Sequence, residues 1–138
     1  MQAIRYISAF VAVGFVLGIA AQVFLAGMFL FADGLRATHV DFGYALTLVP
    51  VAIVALALAA RAGRRTIGLS VALLLVAWLQ PTLVYFRSDV PIIAALHPVN
   101  ALVLFGMGVV VARRAVGLAR ATARSPEPTQ ARSAVTGA

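Results

Sequence analysis

Four runs of apolar residues, each close to the length of a membrane-crossing helix, constrain the fold of this chain more than any other feature. They cover residues 6–32, 39–60, 67–86 and 91–112. A helix needs about 20 apolar residues to cross a bilayer, and in lipid only helices and closed barrels satisfy their own backbone hydrogen bonds. Because the runs are continuous rather than alternating, they predict an all-α fold, an integral membrane four-helix bundle.

The composition argues against the soluble classes of protein. The chain is 63% hydrophobic and 11% charged, whereas an ordinary soluble domain carries roughly 25% charged residues. Its net charge of +7 comes from arginine alone. Most arginines flank the apolar runs, which is typical of membrane orientation rather than of a nucleic-acid-binding face, so we expect a lipid bilayer and no nucleic acid as partner. The absence of cysteine excludes disulfides and thiolate sites.

The distribution of arginine predicts the orientation. Arg61, Arg64 and Arg65 lie between the second and third runs, and four more arginines follow the last run before residue 125. The positive-inside rule then places both termini in the cytoplasm of a multi-pass protein of the cell membrane. The first run begins like a signal peptide, but it is longer than the usual apolar region of about 7–15 residues, so we expect it to stay as a span.

The chain divides into a transmembrane domain and a tail. We expect residues 1–114 to form the four-helix domain and residues 115–138 to form a disordered cytoplasmic tail, because the sequence there becomes rich in Ala, Arg, Ser, Pro and Thr. Residues 115–124 could instead extend the fourth helix beyond the membrane.

A spacing of polar residues occurs twice. Gln22 precedes His39 by seventeen residues, and Gln80 precedes His97 by seventeen, with an offset of 58 between the two pairs. This predicts that the bundle is built from two repeated helical hairpins related by an axis along the membrane normal. Few other positions match, so a chance recurrence stays open.

The two histidines are the principal candidates for function. Ionisable residues inside membrane spans usually face the bundle interior, and the repeat places His39 and His97 at similar depth on opposite sides of its centre. Both could ligate the iron of one b-type heme. Gly43 and Ala101, each four residues later, would leave space for the macrocycle or permit close helix packing. The alternative is that the histidines only form hydrogen bonds near the interface.

Four further polar residues are assigned to the same site: Arg36, Arg87, Gln22 and Gln80. Arginine suits the heme carboxylates, although both arginines could simply be solvated at the interface or pair with nearby aspartates. The glutamines favour hydrogen bonds between helices over contact with a cofactor edge or a quinone. We further expect Pro98 to kink the fourth helix, and Asn100 is a candidate partner for the carbonyl that it frees.

Four segments carry a resemblance to known families: AQVFLAGMFLF, THVDFGY, WLQPTLVYF and LHPVNALVLF. Over residues 16–108 the chain resembles one half of the heme A synthase family. The halves of that family are four-helix bundles with a glutamine in the first helix and a histidine near the outer end of the second and fourth. The resemblance implies that His39 and His97 take the heme-ligand positions. The chain is similar also to a family of small four-helix membrane proteins of unknown function from high-GC bacteria.

The chain departs from heme A synthase in ways that bear on activity. The synthase has eight spans, outer-loop acidic and cysteine residues, and typically an arginine after the second-helix histidine, where this chain has Val40. Hydroxylation of a heme methyl group is therefore not expected, and the sequence leaves open whether the protein is an enzyme.

The expected function is heme binding with an electron-transfer or heme-linked accessory role, which would require a redox partner or a quinone. One alternative is a structural or accessory membrane subunit without a cofactor. Another is a component of quinone or small-molecule transport. A homo-oligomer is compatible with each of these.

Overall fold

The fold is all-α, as the apolar runs predict. A computed structural model describes residues 1–32 and 34–123, and no strand occurs in those ranges. The helices are α1 (Gln2–Phe31), α2 (Arg36–Ala59), α3 (Arg64–Tyr85), α4 (Pro91–Ala94) and α5 (Leu96–Ala123). The helix α4 is a single turn that leads into α5, and the two together form the fourth span. Four helical segments are thus long and apolar enough to cross a membrane.

The fourth span differs from its predicted form. The helix is interrupted at Ala95 rather than kinked at Pro98, which lies in the first turn of α5. A proline is tolerated there because the first N–H groups of a helix have no partner within the helix. At its other end α5 continues to Ala123, which is the helical extension that the sequence left open. Residues 124–138 of the predicted tail lie outside the described residues.

The long helices form a closed ring. α1 packs against α2 and α5, and α3 packs against the same two helices. Short connections make successive helices antiparallel, so α2 and α5 run in the same direction and lie diagonally across the bundle. The residues at the start of α2 and α5 therefore meet at one end, together with the last turns of α1 and α3. We call this the cavity end.

The packed core occupies the middle of the bundle and extends toward the opposite end. Phe15, Ile19, Ile53, Leu73 and Leu104 are each at most 4% exposed, and small side chains along α5 continue this core. At the far end the Arg5 side chain donates a hydrogen bond to the Thr122 hydroxyl. That contact ties the start of α1 to the end of α5.

The outer surface of the bundle is apolar. Phe10, Ile92 and Leu102 are more than 70% exposed, and many other large apolar side chains also point outward. Helices that are hydrophobic all round are either buried in a large protein or lie in a membrane. A bundle of this size cannot bury them against itself, so its exterior is the face that lipid covers. The chain is a multi-pass membrane protein.

Candidate functional site

A cavity of about 640 Å³ opens at the cavity end of the bundle. Its size lies within the range of about 300–1,000 Å³ that is usual for ligand sites. Core residues close its inner side: Phe15, Ile19, Ala77 and Leu104. Packing at this floor separates the cavity from the rest of the bundle, which leaves one enclosed end and one open end.

All eight residues that the sequence assigned to a site line this one cavity. They are Gln22, Arg36, His39, Gly43, Gln80, Arg87, His97 and Ala101. They come from all four long helices and from the loop after α3. The diagonal arrangement of α2 and α5 explains why residues that are 58 positions apart come together.

The two imidazole rings face each other across the bundle. The ring centroids of His39 and His97 are 6.4 Å apart, and the ring planes are inclined at 72°. His39 lies in the first turn of α2 and His97 in the first turn of α5, so equivalent positions of the two hairpins supply them. This is the placement at similar depth that the repeat predicts.

His97 is held by the backbone of α3. Its Nδ1 lies 3.2 Å from the carbonyl oxygen of Gln80. A carbonyl only accepts hydrogen bonds, so the neutral imidazole carries its proton on Nδ1 and donates it. The other ring nitrogen, Nε2, then keeps its lone pair for a ligand.

Asn100 links α5 to α3, the two long helices of the second hairpin, through hydrogen bonds. It is 9% exposed, and its Nδ2 donates to Val76 O at 3.0 Å and to Gln80 Oε1 at 2.8 Å. The expectation that Asn100 would serve the carbonyl freed by Pro98 is therefore wrong, because its side chain reaches across to α3. The sequence signal for this role was an amide on an otherwise apolar helix face.

The first hairpin is joined by a different pair of atoms. Gln22 Nε2 donates to the backbone carbonyl of His39 at 3.0 Å, across the same interval of seventeen residues. Both glutamines thus form the hydrogen bonds between helices that their sequence setting favours. Gln22 Oε1 is buried and has no hydrogen-bond partner within the described part of the chain. The His39 ring interacts with the Gln22 backbone, as the His97 ring does with that of Gln80.

The glycine at position 43 permits this contact. A Cβ atom at Gly43 would lie 2.5 Å from Gln22 Nε2, closer than side-chain atoms approach each other. The amide of Gln22 therefore occupies the space that a Cβ atom at this position would take. Ala101, its counterpart in the repeat, also lines the cavity.

Two arginines line the cavity from the ends of helices. The Arg36 guanidinium lies over the Phe29 ring, 5.9 Å from its centroid, and Arg87 follows the end of α3. Stacking on an aromatic ring restrains a guanidinium without using its N–H donors. Arg36 thus retains those donors for an acidic group.

The donor set of the cavity does not suit a bare metal ion. Within residues 1–32 and 34–123, no group of three or more His, Cys, Asp or Glu side chains could hold one. Protein zinc sites use three or four such ligands. Two opposed imidazoles instead suit a metal ion whose remaining ligands belong to a cofactor.

One comparison with known proteins gives a match. Residues 22–87 match the sequence profile of a family of unknown function, DUF6220. The matched segment begins at Gln22 and ends at Arg87, so it contains six of the eight cavity residues named above, while His97 and Ala101 lie beyond it. The chain is therefore similar to that family over just under half of its length. No curated protein and no solved structure matches.

Proposed function

We propose that this protein of the cell membrane binds one b-type heme through His39 and His97 and takes part in electron transfer or in a heme-linked accessory role. The observation that carries the proposal is the opposition of the chain's two histidines across one cavity, with ring centroids 6.4 Å apart. Bis-histidine ligation requires this kind of arrangement.

The spacing of the rings supports the proposal. Two metal–imidazole bonds of about 2 Å each, plus roughly 1 Å from each nitrogen to its ring centre, separate two axial imidazoles by about 6 Å. The observed 6.4 Å agrees with that sum. The lack of a third protein ligand among the described residues also fits, because a porphyrin supplies four nitrogens of its own.

The surrounding residues have separate tasks in this proposal. Gln80 holds the His97 ring through its carbonyl, which fixes the orientation of the ring. Gly43 and Ala101 leave space beside the two imidazoles. Arg36 and Arg87 pair with the carboxylates of the cofactor. When bound, a heme supplies one-electron redox chemistry.

The position of the cavity restricts the function further. With both termini in the cytoplasm, as the arginine distribution favours, the cavity end faces outward. A single heme near the outer surface cannot carry electrons across the whole membrane. The proposal therefore requires a redox partner or a quinone on that side.

The proposal is tested by the absorption spectrum of protein purified in detergent after expression with ample heme supply. We expect a six-coordinate, low-spin, b-type spectrum in the reduced protein, because both axial positions are filled by imidazole. Colourless protein with an intact helical fold would contradict the proposal and favour a structural subunit without a cofactor.

A further inference from the structure

A groove of about 330 Å³ lies between α1 and α5 at the end opposite the cavity. Two small side chains form its floor, since Ala9 and Ala119 are 9% and 2% exposed. Its apolar walls are formed by Phe10, Val13 and Val116. We call this feature the α1–α5 groove. It opens on the surface of the bundle that lipid covers, so a lipid chain is the molecule that meets it.

The polar groups of the α1–α5 groove lie at one end of it. Because α1 begins and α5 ends at this end of the bundle, Tyr6 and Arg120 are the outermost lining residues, and Val13 and Val116 are the innermost. Seven residues of helix separate Tyr6 from Val13, which is about 10 Å. The groove is therefore apolar toward the centre of the bilayer and carries a guanidinium and a phenol hydroxyl toward the water. A phospholipid has the same order of polarity along its length.

The positive charge of Arg120 is not neutralised by the described part of the chain. The acidic side chains in residues 1–32 and 34–123 are Asp41 and Asp89, and both lie at the cavity end. Two other arginines at the end opposite the cavity bond to threonines, since Arg5 donates to the Thr122 hydroxyl and Arg114 to that of Thr66.

Arg120, in contrast, is exposed at the mouth of the α1–α5 groove. Its guanidinium keeps its N–H donors for an anion from outside the described chain.

We propose that the α1–α5 groove binds one anionic phospholipid of the leaflet that meets this end of the bundle. An acyl chain lies against Ala9 and Ala119, and the headgroup phosphate binds to Arg120. A guanidinium binds phosphate through paired N–H donors, and basic pockets between membrane helices bind anionic headgroups. The Tyr6 hydroxyl donates a further hydrogen bond to the headgroup. The site lies at the far end of the bundle from the two histidines, so it is independent of the proposed heme.

The test measures lipid binding to the full-length protein in detergent by native mass spectrometry, with phosphatidylglycerol and phosphatidylcholine of identical acyl chains. We expect the wild-type protein to bind phosphatidylglycerol more tightly, because the positive choline group opposes Arg120. Arg120→Gln should lower the affinity for phosphatidylglycerol by about fivefold.

Arg65→Gln is the matched control for Arg120→Gln. It removes the same charge from an exposed residue at the same end of the bundle, but Arg65 does not line the α1–α5 groove, so the wild-type affinity should be retained. Equal losses of affinity in the two variants, or a wild-type protein without preference for phosphatidylglycerol, would overturn the proposal.

A second measurement locates the acyl chain. Trp78 is the single tryptophan of the chain, so Trp78→Phe gives a background without this fluorophore. In that background Phe10→Trp labels the wall of the groove, and Leu58→Trp labels an exposed position at the same end of the bundle, outside the groove. Phosphatidylglycerol with brominated acyl chains should quench the Phe10→Trp variant at lower lipid concentration, because a bound chain stays beside that position. Equal quenching curves, or release of the lipid by inorganic phosphate at equal concentration, would overturn the proposed site.

Discussion

At the scale of single residues, the packing beside the cavity depends on Gly43, which has no side chain. Gly43 leaves the space in which the Gln22 amide lies, and this amide reaches the His39 carbonyl at 3.0 Å. The contact joins α1 to α2 beside the proposed ligand. A residue without a side chain at position 43 therefore lets the Gln22 amide keep its present position.

Replacing Gly43 with alanine should disturb this contact. The new Cβ would lie 2.5 Å from Gln22 Nε2, so the amide must move and lose its hydrogen bond, a net loss of about 0.5–1.5 kcal/mol. Gly14→Ala is the matched control, because nothing lies within 4 Å of a Cβ there. Thermal unfolding in detergent should show Gly43→Ala to be the less stable of the two, and equal midpoints would contradict this account.

The sequence could predict which residues meet but not which atoms bond. The interval of seventeen residues indicated both glutamine–histidine pairs, and the structure brings each pair together. In the second pair the histidine ring bonds to the glutamine backbone, whereas in the first pair the glutamine side chain also bonds to the histidine backbone. That choice depends on side-chain rotamers and on Asn100, and neither is encoded in the spacing.

At the scale of helices, the lengths of the apolar runs predict how many spans the chain has. They predict less well the residues at which each helix begins and ends. The predicted second span begins at residue 39, whereas α2 begins at Arg36, because a charged residue at the membrane interface can be helical without lying in lipid. The third span likewise begins earlier, at Arg64. Gly63 precedes it with φ 80°, a conformation that favours glycine.

The cavity itself follows from the arrangement of helices rather than from any one of them. The ring order places α2 and α5 diagonally, and the histidines in their first turns then face each other. The repeat predicted this opposition, since it related the two hairpins by an axis along the membrane normal. The closed floor of Phe15, Ile19, Ala77 and Leu104 was not predicted, because a buried apolar residue of a membrane helix resembles a lipid-facing one in sequence.

At the scale of the whole molecule, charge sets the expected orientation. The end opposite the cavity carries Arg5, Arg61, the two arginines that begin α3, and those near the end of α5. Arg36 and Arg87 are the two arginines at the cavity end. The positive-inside rule therefore predicts that the cavity opens away from the cytoplasm.

This orientation is tested by fusing a reporter that is active only in the cytoplasm to the carboxyl end. We expect an active fusion, because the cluster of arginines holds that end inside. A reporter that is active only outside the cytoplasm, fused at the same position, serves as the control and should stay inactive. The reverse pattern in well-expressed fusions would place the cavity on the cytoplasmic side.

The central claim, that the two histidines bind one heme, is tested most directly by titrating hemin into heme-free protein in detergent. The account predicts saturable binding at one heme per chain with a low-spin spectrum. The double variant His39→Ala/His97→Ala should lose both the low-spin spectrum and the saturable binding while keeping its helical content. Absence of saturable binding to the wild-type protein, or equal binding to the folded double variant, would contradict the account.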